Sequence, residues 1–261
     1  MVVKALILRA PGINRDPDAA LACEAAGAHA ERVHINRIAD GSVHLRDYGL
    51  LIIPGGFSYG DHLGAGRLLA VDLAYRLGEQ LAAFVADGRP VLGICNGFQV
   101  LVKAGILPDL EARTSPQVTL TDNDSCRFEC RWVQLQAEPG SSCVFTRGIT
   151  RPLEVPVAHG EGRIAATDLH VLEQLHANGQ IALRYSNADG SAPAYPANPN
   201  GSLANIAGLC NRQGNVLGLM PHPENAIRPH QHPRWTREPR RSEGDGLVIF
   251  RNAVSYAQRY A

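Results

Sequence analysis

The chain has 261 residues, 45% apolar and 19% charged, the proportions of a globular protein with enough apolar residues for a sizeable core. Its 25 basic and 25 acidic residues cancel, which argues against nucleic acid or an anionic membrane as the partner. No apolar run reaches bilayer length, no signal-peptide pattern precedes the first strand, and the six cysteines (23, 95, 126, 130, 143, 210) follow no disulfide spacing; a cytoplasmic setting with reduced thiols is expected.

Residues 2–8 are apolar and predict a first strand, followed by a turn-rich stretch over 10–14. Asp16-Pro17 supplies an N-cap and first-turn pair for a helix through Ala26, closed by Gly27. Residues 30–35 alternate as a second strand. Residues 50–53 form a third, entering the loop Pro54-Gly-Gly-Phe-Ser-Tyr-Gly-Asp61. Leu73, Leu77, Leu81 and Phe84 fall at helical spacing within 71–87, with Gly88 as the stop. Residues 91–94 form a strand and 98–104 a helix stopped by Gly105. Strands alternating with helices at this spacing predict βαβ units around a parallel sheet.

From about Thr114 the strands shorten, over 127–135, 153–157 and 181–185. Residues 206–210 and 216–220 flank Asn211-Arg-Gln-Gly-Asn215, a hairpin turn. Leu247, Phe250, Val254 and Ala257 share one face of a final helix. The expectation is an α/β fold: an open, mostly parallel sheet with helices on both faces and an antiparallel extension. Without an internal repeat or long linker, residues 1–261 are expected to form one domain. Residues 226–244 stand out as an insertion or flap before the last helix.

Between the strand at 91–94 and the helix after it lies Gly93-Ile-Cys-Asn-Gly97, a lone cysteine flanked two residues away by glycines. A nucleophile on a sharp strand-to-helix turn needs small neighbours, because the two elements crowd there, and it gains from the helix dipole. A buried structural cysteine in an ordinary βα turn carries the same pattern. A thiol nucleophile needs a base and the base an orienting group, and Pro221-His222-Pro223-Glu224 supplies both. Pro223 disfavours helix at His222, and in an extended segment His222 and Glu224 point to the same side. Cys95, His222 and Glu224 are therefore the candidate catalytic residues, although an isolated His-x-Glu is usually surface decoration. For the oxyanion, the N–H of Asn96 is one candidate donor, and the loop carrying Gly55, Gly56 and Phe57 is the source of the second. Gln99, one helical turn after Cys95, is a candidate substrate contact or a solvated side chain.

Taken together, Gly93-Ile-Cys-Asn-Gly-Phe-Gln99, Pro54-Gly-Gly-Phe57 and Pro221-His-Pro-Glu224 resemble the class I (triad) glutamine amidotransferases. A finer set resembles one branch, the glutaminase subunits of phosphoribosylformylglycinamidine synthases in purine biosynthesis: Gly55-Gly-Phe-Ser-Tyr-Gly-Asp61, Asn123-Asp-Ser-Cys-Arg-Phe-Glu-Cys130, Val157-Ala-His-Gly-Glu-Gly-Arg163, Asn198-Pro-Asn-Gly-Ser202 and Gly218-Leu-Met-Pro-His-Pro-Glu224. The resemblance implies a flavodoxin-like fold, Cys95 as nucleophile with His222 and Glu224 as partners, Gly56 and Phe57 near the oxyanion, and Gln99 near bound glutamine. It also implies a γ-glutamyl thioester and ammonia passed to an ATP-dependent synthetase subunit, with a small third subunit bridging the two. No cofactor or metal is expected in this subunit; ATP and Mg belong to the synthetase. One departure is Gly12-Ile-Asn-Arg-Asp16, where Arg15 stands in the family's cysteine position in a non-catalytic turn.

Rival readings are a freestanding cysteine amidohydrolase of the same fold and a binding subunit without activity. Zinc at Cys126 and Cys130, completed by His222, His230 or His232, is disfavoured by the x3 spacing and the missing second cysteine pair. His159 is a second candidate base, expected instead to contact substrate or partner. Arg228, Arg234, Arg237, Arg240 and Arg241 make 226–244 a candidate partner contact or flap, against a solvated insertion. Glu238, Glu243 and Asp245 among them argue against nucleic acid.

Overall fold

The structure is a computed structural model that describes residues 2–110, 117–189, 191–238 and 241–261. Its strands are β1 (Lys4–Arg9), β2 (His29–His34), β3 (Leu50–Ile53), β4 (Val91–Ile94), β5 (Val118–Thr121), β6 (Glu129–Ala137), β7 (Leu153–His159), β8 (Arg163–Ala166), β9 (Ile181–Ser186), β10 (Ile206–Cys210) and β11 (Val216–Leu219). Nine form one sheet in the order β2-β1-β3-β4-β11-β10-β9-β6-β7, and β5 pairs with β8 separately. Pairing is parallel from β2 to β11 and antiparallel from β11 to β7. β3, β4, β10 and β11 are buried at every residue, as strands covered on both faces must be.

The helices are α1 (Asp16–Ala25), α2 (Ile35–Ala39), α3 (Arg67–Ala86), α4 (Asn96–Lys103), α5 (Leu169–Ala177) and α6 (Leu247–Ala257). α1 packs on α6, and α3 on α4, forming two helical layers about the parallel strands. α3 buries Leu69, Leu73, Leu77, Leu81 and Phe84 along one stripe. It begins four residues earlier than its apolar spacing suggests, because its N-cap is left-handed Gly66, not a Ser or Asp that announces a start. α1 departs at its cap. Arg15 is the capping position, and Asp16 is the first helical residue, buried with its carboxylate 3.0 Å from Arg9 and 3.4 Å from Arg32. β5, β8, α2 and α5 are too short or too weakly patterned to announce themselves in the sequence. The change of texture near Thr114 falls outside the described residues. No helix among the described residues is long and apolar enough to cross a membrane.

Two topological features build the site. β4 and β11 are parallel neighbours, Ile94 opposite Leu219, so the segments leaving their carboxyl ends emerge side by side. The antiparallel half then curls back. β7 is last in the sheet order, yet its Pro156 carbonyl accepts from the N–H of His222 at 2.8 Å, and its Ala158 carbonyl lies 3.7 Å from Cys95 Sγ.

Candidate active site

Cys95 is the N-cap of α4 with φ 51° and ψ −106°, a left-handed backbone that non-glycine residues rarely adopt and that costs about 1–3 kcal/mol. Its surroundings hold it there. Its N–H donates to Leu219 O at 2.8 Å, and its carbonyl accepts from Phe98 and Gln99. A Cβ on Gly97 would lie 1.9 Å from Ile53 O, and one on Gly93 2.5 Å from Leu101 Cδ1, so strand and helix meet this closely only over glycine.

His222 and Glu224 follow β11. Pro223 does not keep this segment extended; it opens a single 3-10 turn, Pro223–Asn225, because its fixed φ suits the first helical position. The two side chains still meet, with His222 Nδ1 2.6 Å from Glu224 Oε1, and both are buried. Burial favours neutral imidazole, but Glu224 and Cys95 outweigh it and push His222 well above its ordinary value. Cys95 and His222 are neighbours across Gly55, where a Cβ would lie 2.9 Å from His222 Cε1 and 3.5 Å from Cys95 Cβ. The Cys95 thiol donates to Ala158 O, and His222 Nε2 has no hydrogen-bond partner among the described residues.

The loop after β3 is clamped by the turn that departs from the family pattern. Phe57 N–H donates to Gly12 O at 2.9 Å, Tyr59 N–H to Pro11 O at 2.8 Å, and Arg15 N–H to Gly55 O at 3.2 Å. Phe57's amide is therefore engaged, while its half-exposed ring lines the cleft beside Cys95, centroid 6.4 Å from Phe128. The N–H of Gly56 has no acceptor among the described residues. Nor does that of Asn96, at the first position of α4, where the helix supplies none. The Asn96 side chain instead accepts from Ser58 N–H at 3.2 Å and donates to Gln99 Oε1 at 3.0 Å, pinning the loop to the helix. Gln99 Nε2 donates to Glu161 O, so this amide joins α4 to the 159–162 turn and is not left solvated.

These elements enclose a cleft of about 280 Å³ that includes Gly56, Phe57, Cys95, Gln99 and His159 in its lining. That volume, below the range typical of drug-sized ligands, suits a single amino acid. His159 is buried, and burial with His222 nearby lowers it to about 3, so it stays neutral. Asn123 settles its tautomer. Asn123 Nδ2 donates to the carbonyls of Arg127 and His159, both at 2.8 Å, which makes Oδ1 the atom 3.1 Å from His159 Nδ1. An acceptor there requires hydrogen on Nδ1, leaving Nε2 a buried lone pair without a partner among the described residues. The Asn198–Ser202 stretch supports the turn from behind, with Asn200 Nδ2 donating to Gly162 O at 2.8 Å and Ser202 Oγ accepting from Ile164 N–H at 3.0 Å. Asp61, Glu161 and Arg127 also line the cleft. The sequence reading quoted the stretches containing them but assigned them no role, since nothing local says which way they face.

Residues 226–244 lie elsewhere. Arg234 and Arg241 reach Glu154 at 2.8 and 2.9 Å, and Arg241 reaches buried Asp245 at 2.8 Å, clipping the segment to the start of β7. None of its described residues lines the cleft; Arg240 is outside the described residues. Glu154, His232 and Glu238 approach each other closely enough for a cation, but Arg234 and Arg241 already neutralise both carboxylates. Cys126 and Cys130 are exposed free thiols, apart from that group.

The model of the CobB/CobQ-like glutamine amidotransferase domain matches residues 2–257. The phosphoribosylformylglycinamidine synthase subunit PurQ of Dehalococcoides mccartyi is 47% identical over 258 residues, covering 98% of both chains. That of Treponema denticola is 50% identical over 242 residues, covering 87% of this chain and 89% of its own. A chain of the solved PurLQS from Thermotoga maritima superposes with TM-score 0.75 at 32% identity, covering 98% of this chain and 99% of its own. With these matches over a site of this geometry, the chain belongs to the glutamine amidotransferase family, in the branch of phosphoribosylformylglycinamidine synthase PurQ subunits.

Proposed function

We propose that this chain is the glutaminase subunit of a phosphoribosylformylglycinamidine synthase, hydrolysing glutamine to glutamate and ammonia through a γ-glutamyl thioester on Cys95. One observation carries the mechanism: a strained cysteine at a helix N-terminus lines a cleft and stands beside a buried, hydrogen-bonded His-Glu pair and two amides without acceptors among the described residues. Glu224 holds His222 Nδ1–H, leaving Nε2 to exchange protons with the reacting atoms. The sulfur attacks the carboxamide carbon, and the oxyanion is received by the N–H groups of Asn96 and Gly56, each worth about 3 kcal/mol of barrier reduction. An amide departs poorly as an anion, so the His222 imidazolium protonates the leaving nitrogen, then deprotonates the water that opens the thioester.

Ammonia released into water becomes ammonium, which is not nucleophilic. The product must pass directly to an ATP-dependent synthetase subunit, which would hold the ATP and Mg, while this subunit needs no cofactor of its own. A small bridging subunit completes the assembly. The Thermotoga maritima relative, solved as PurLQS, supports that arrangement. We place the complex in the cytoplasm and treat residues 1–261 as one amidotransferase domain, because Cys95 and His222 leave adjacent strands of a single sheet.

Cys95→Ala is expected to abolish glutamine-dependent amidine formation by the complex and to leave ammonia-dependent formation intact; surviving glutamine use removes Cys95 from the mechanism. The isolated chain is expected to be a poor glutaminase activated by its synthetase, with its resting thiol donating to Ala158 O. Full activity alone would instead favour a freestanding amidohydrolase.

A further inference from the structure

Two cysteines outside the cleft face each other in the core. Cys143, in the segment joining β6 to β7, and Cys210, the last residue of β10, are buried and are both free thiols. Cys143 S–H donates to Cys210 Sγ. Backbone contacts hold the two segments together. Val144 N–H donates to Gly214 O at 2.9 Å and Ser142 N–H to Gly179 O at 3.0 Å. A Cβ on Gly214 would lie 2.1 Å from Ser142 O, so residues 142–144 run hard against the turn that follows Cys210. Cys210 Sγ also lies 3.6 Å from Ser142 Oγ and 4.0 Å from Ser141 Oγ. The two thiols are therefore not equivalent. Hydrogen bonds from Cys143, Ser142 and Ser141 bring Cys210 below the ordinary thiol value, whereas burial and the Cys210 contact push Cys143 well above it.

We propose that Cys143 and Cys210 form an oxidation site, a dithiol that a hydroperoxide converts into a disulfide stapling the β6–β7 connection to β10. Ser141 and Ser142 are only half-buried, and shifting their hydroxyls opens Cys210 to a molecule as small as hydrogen peroxide. The Cys210 thiolate attacks one peroxide oxygen and the O–O bond breaks. The departing hydroxide takes up the proton that Cys210 gave and leaves as water, with Cys210 now a sulfenic acid. The Cys143 sulfur then attacks the sulfenyl sulfur, the S–O bond breaks, and the second hydroxide leaves as water with the Cys143 proton. The two sulfurs lose two electrons to the peroxide, and a small dithiol reverses the bond, so the resting state in a reducing compartment is the dithiol. The staple ties together the parts that frame Cys95, since β7 carries Ala158 and β11, which follows Cys210, leads to His222.

The test uses the full chain with Cys95→Ala, which removes the catalytic thiol from the readout. After exposure to hydrogen peroxide the protein is denatured in N-ethylmaleimide and cleaved after arginine, which places Cys143 in peptide 132–147 and Cys210 in peptide 185–212. The expected product is these two peptides joined by a bond that dithiothreitol breaks. The crosslinked chain should melt at least about 5 °C above the reduced one. Adding Cys143→Ala should leave Cys210 as a sulfenic acid that dimedone captures, whereas adding Cys210→Ala should leave Cys143 unoxidised. Exposed Cys126 and Cys130 report that the peroxide has acted. Recovery of Cys143 and Cys210 as maleimide adducts while those two are oxidised, or a bond from either to another cysteine, overturns the site. An unchanged melting midpoint in the crosslinked chain overturns the staple. Crosslink and midpoint are read with both thiols intact, so they decide the matter even where an alanine variant fails to fold.

Discussion

Gly55→Ala is the sharpest probe of how the nucleophile and its base are held together. Gly55 does not lie in the left-handed region, so alanine imposes no backbone strain; what it adds is one methyl group between two side chains. That methyl would stand 2.9 Å from His222 Cε1, about 0.6 Å inside the 3.5 Å at which carbon atoms begin to pack favourably, and 3.5 Å from both Cys95 Cβ and Arg15 Cγ. The cysteine and arginine can stay, but the imidazole must move. It is buried and tied through Nδ1 to Glu224 at 2.6 Å, so the ring cannot swing clear without stretching that bond or turning Nε2 from the sulfur. A displacement of this size at a reacting group costs about 100-fold in kcat, about 2.7 kcal/mol. Overpacking should lower stability by no more than about 3 kcal/mol. The assay is glutamine-dependent turnover by the complex, with ammonia-dependent turnover and thermal melting of the same preparation as controls. A Gly55→Ala complex within about three-fold of wild type on glutamine would refute the packing argument, because His222 would then have room that the structure denies it.

The buried neutral His159 predicts a pH-dependent stability. Its value falls to about 3 in the fold while the unfolded chain takes up the proton near pH 6.5, so stability drops as pH falls through that window. The loss amounts to something on the order of 4 kcal/mol by pH 3. Urea unfolding followed across that range should show His159→Phe with a flatter acid limb; an unchanged slope assigns the effect to other groups. Arg241→Met should cost about 1–3 kcal/mol by removing a cation from buried Asp245, which among the described residues keeps Arg151 and the Glu154 N–H. Because no described residue of 226–244 lines the cleft, glutamine turnover of this variant with the synthetase should stay close to wild type; a large fall in kcat would make the segment part of the site after all.

The parallel half of the fold was legible because its strands are short apolar runs punctuated by glycine, and β3 and β4 begin and end where those runs do. The elbow was legible for a related reason: glycines at 93 and 97 mark a crossing so tight that a methyl at 97 would sit 1.9 Å from Ile53 O. Asp16 misled because an acid before Pro17 has the local signature of a cap, whereas its partners Arg9 and Arg32 come from neighbouring strands. Gly55 and Gly56 announce a loop open to a ligand, but which of its amides is engaged depends on Gly12, more than forty residues away, accepting from Phe57.

Residue types and spacing alone thus determined that Cys95, His222 and Glu224 could act together, because each motif is local and carries its own geometric reason. Only the tertiary structure decided what surrounds them. The curl of the antiparallel half brings β7 and the turn after it over Cys95, placing Ala158 O, His159 and Glu161 in the cleft that Asp61 and Arg127 complete. No periodicity encodes that closure, since it depends on how far a sheet bends between strands distant in sequence. It is this bend that brings the charges of Asp61, Glu161 and Arg127 to the cleft that holds Cys95.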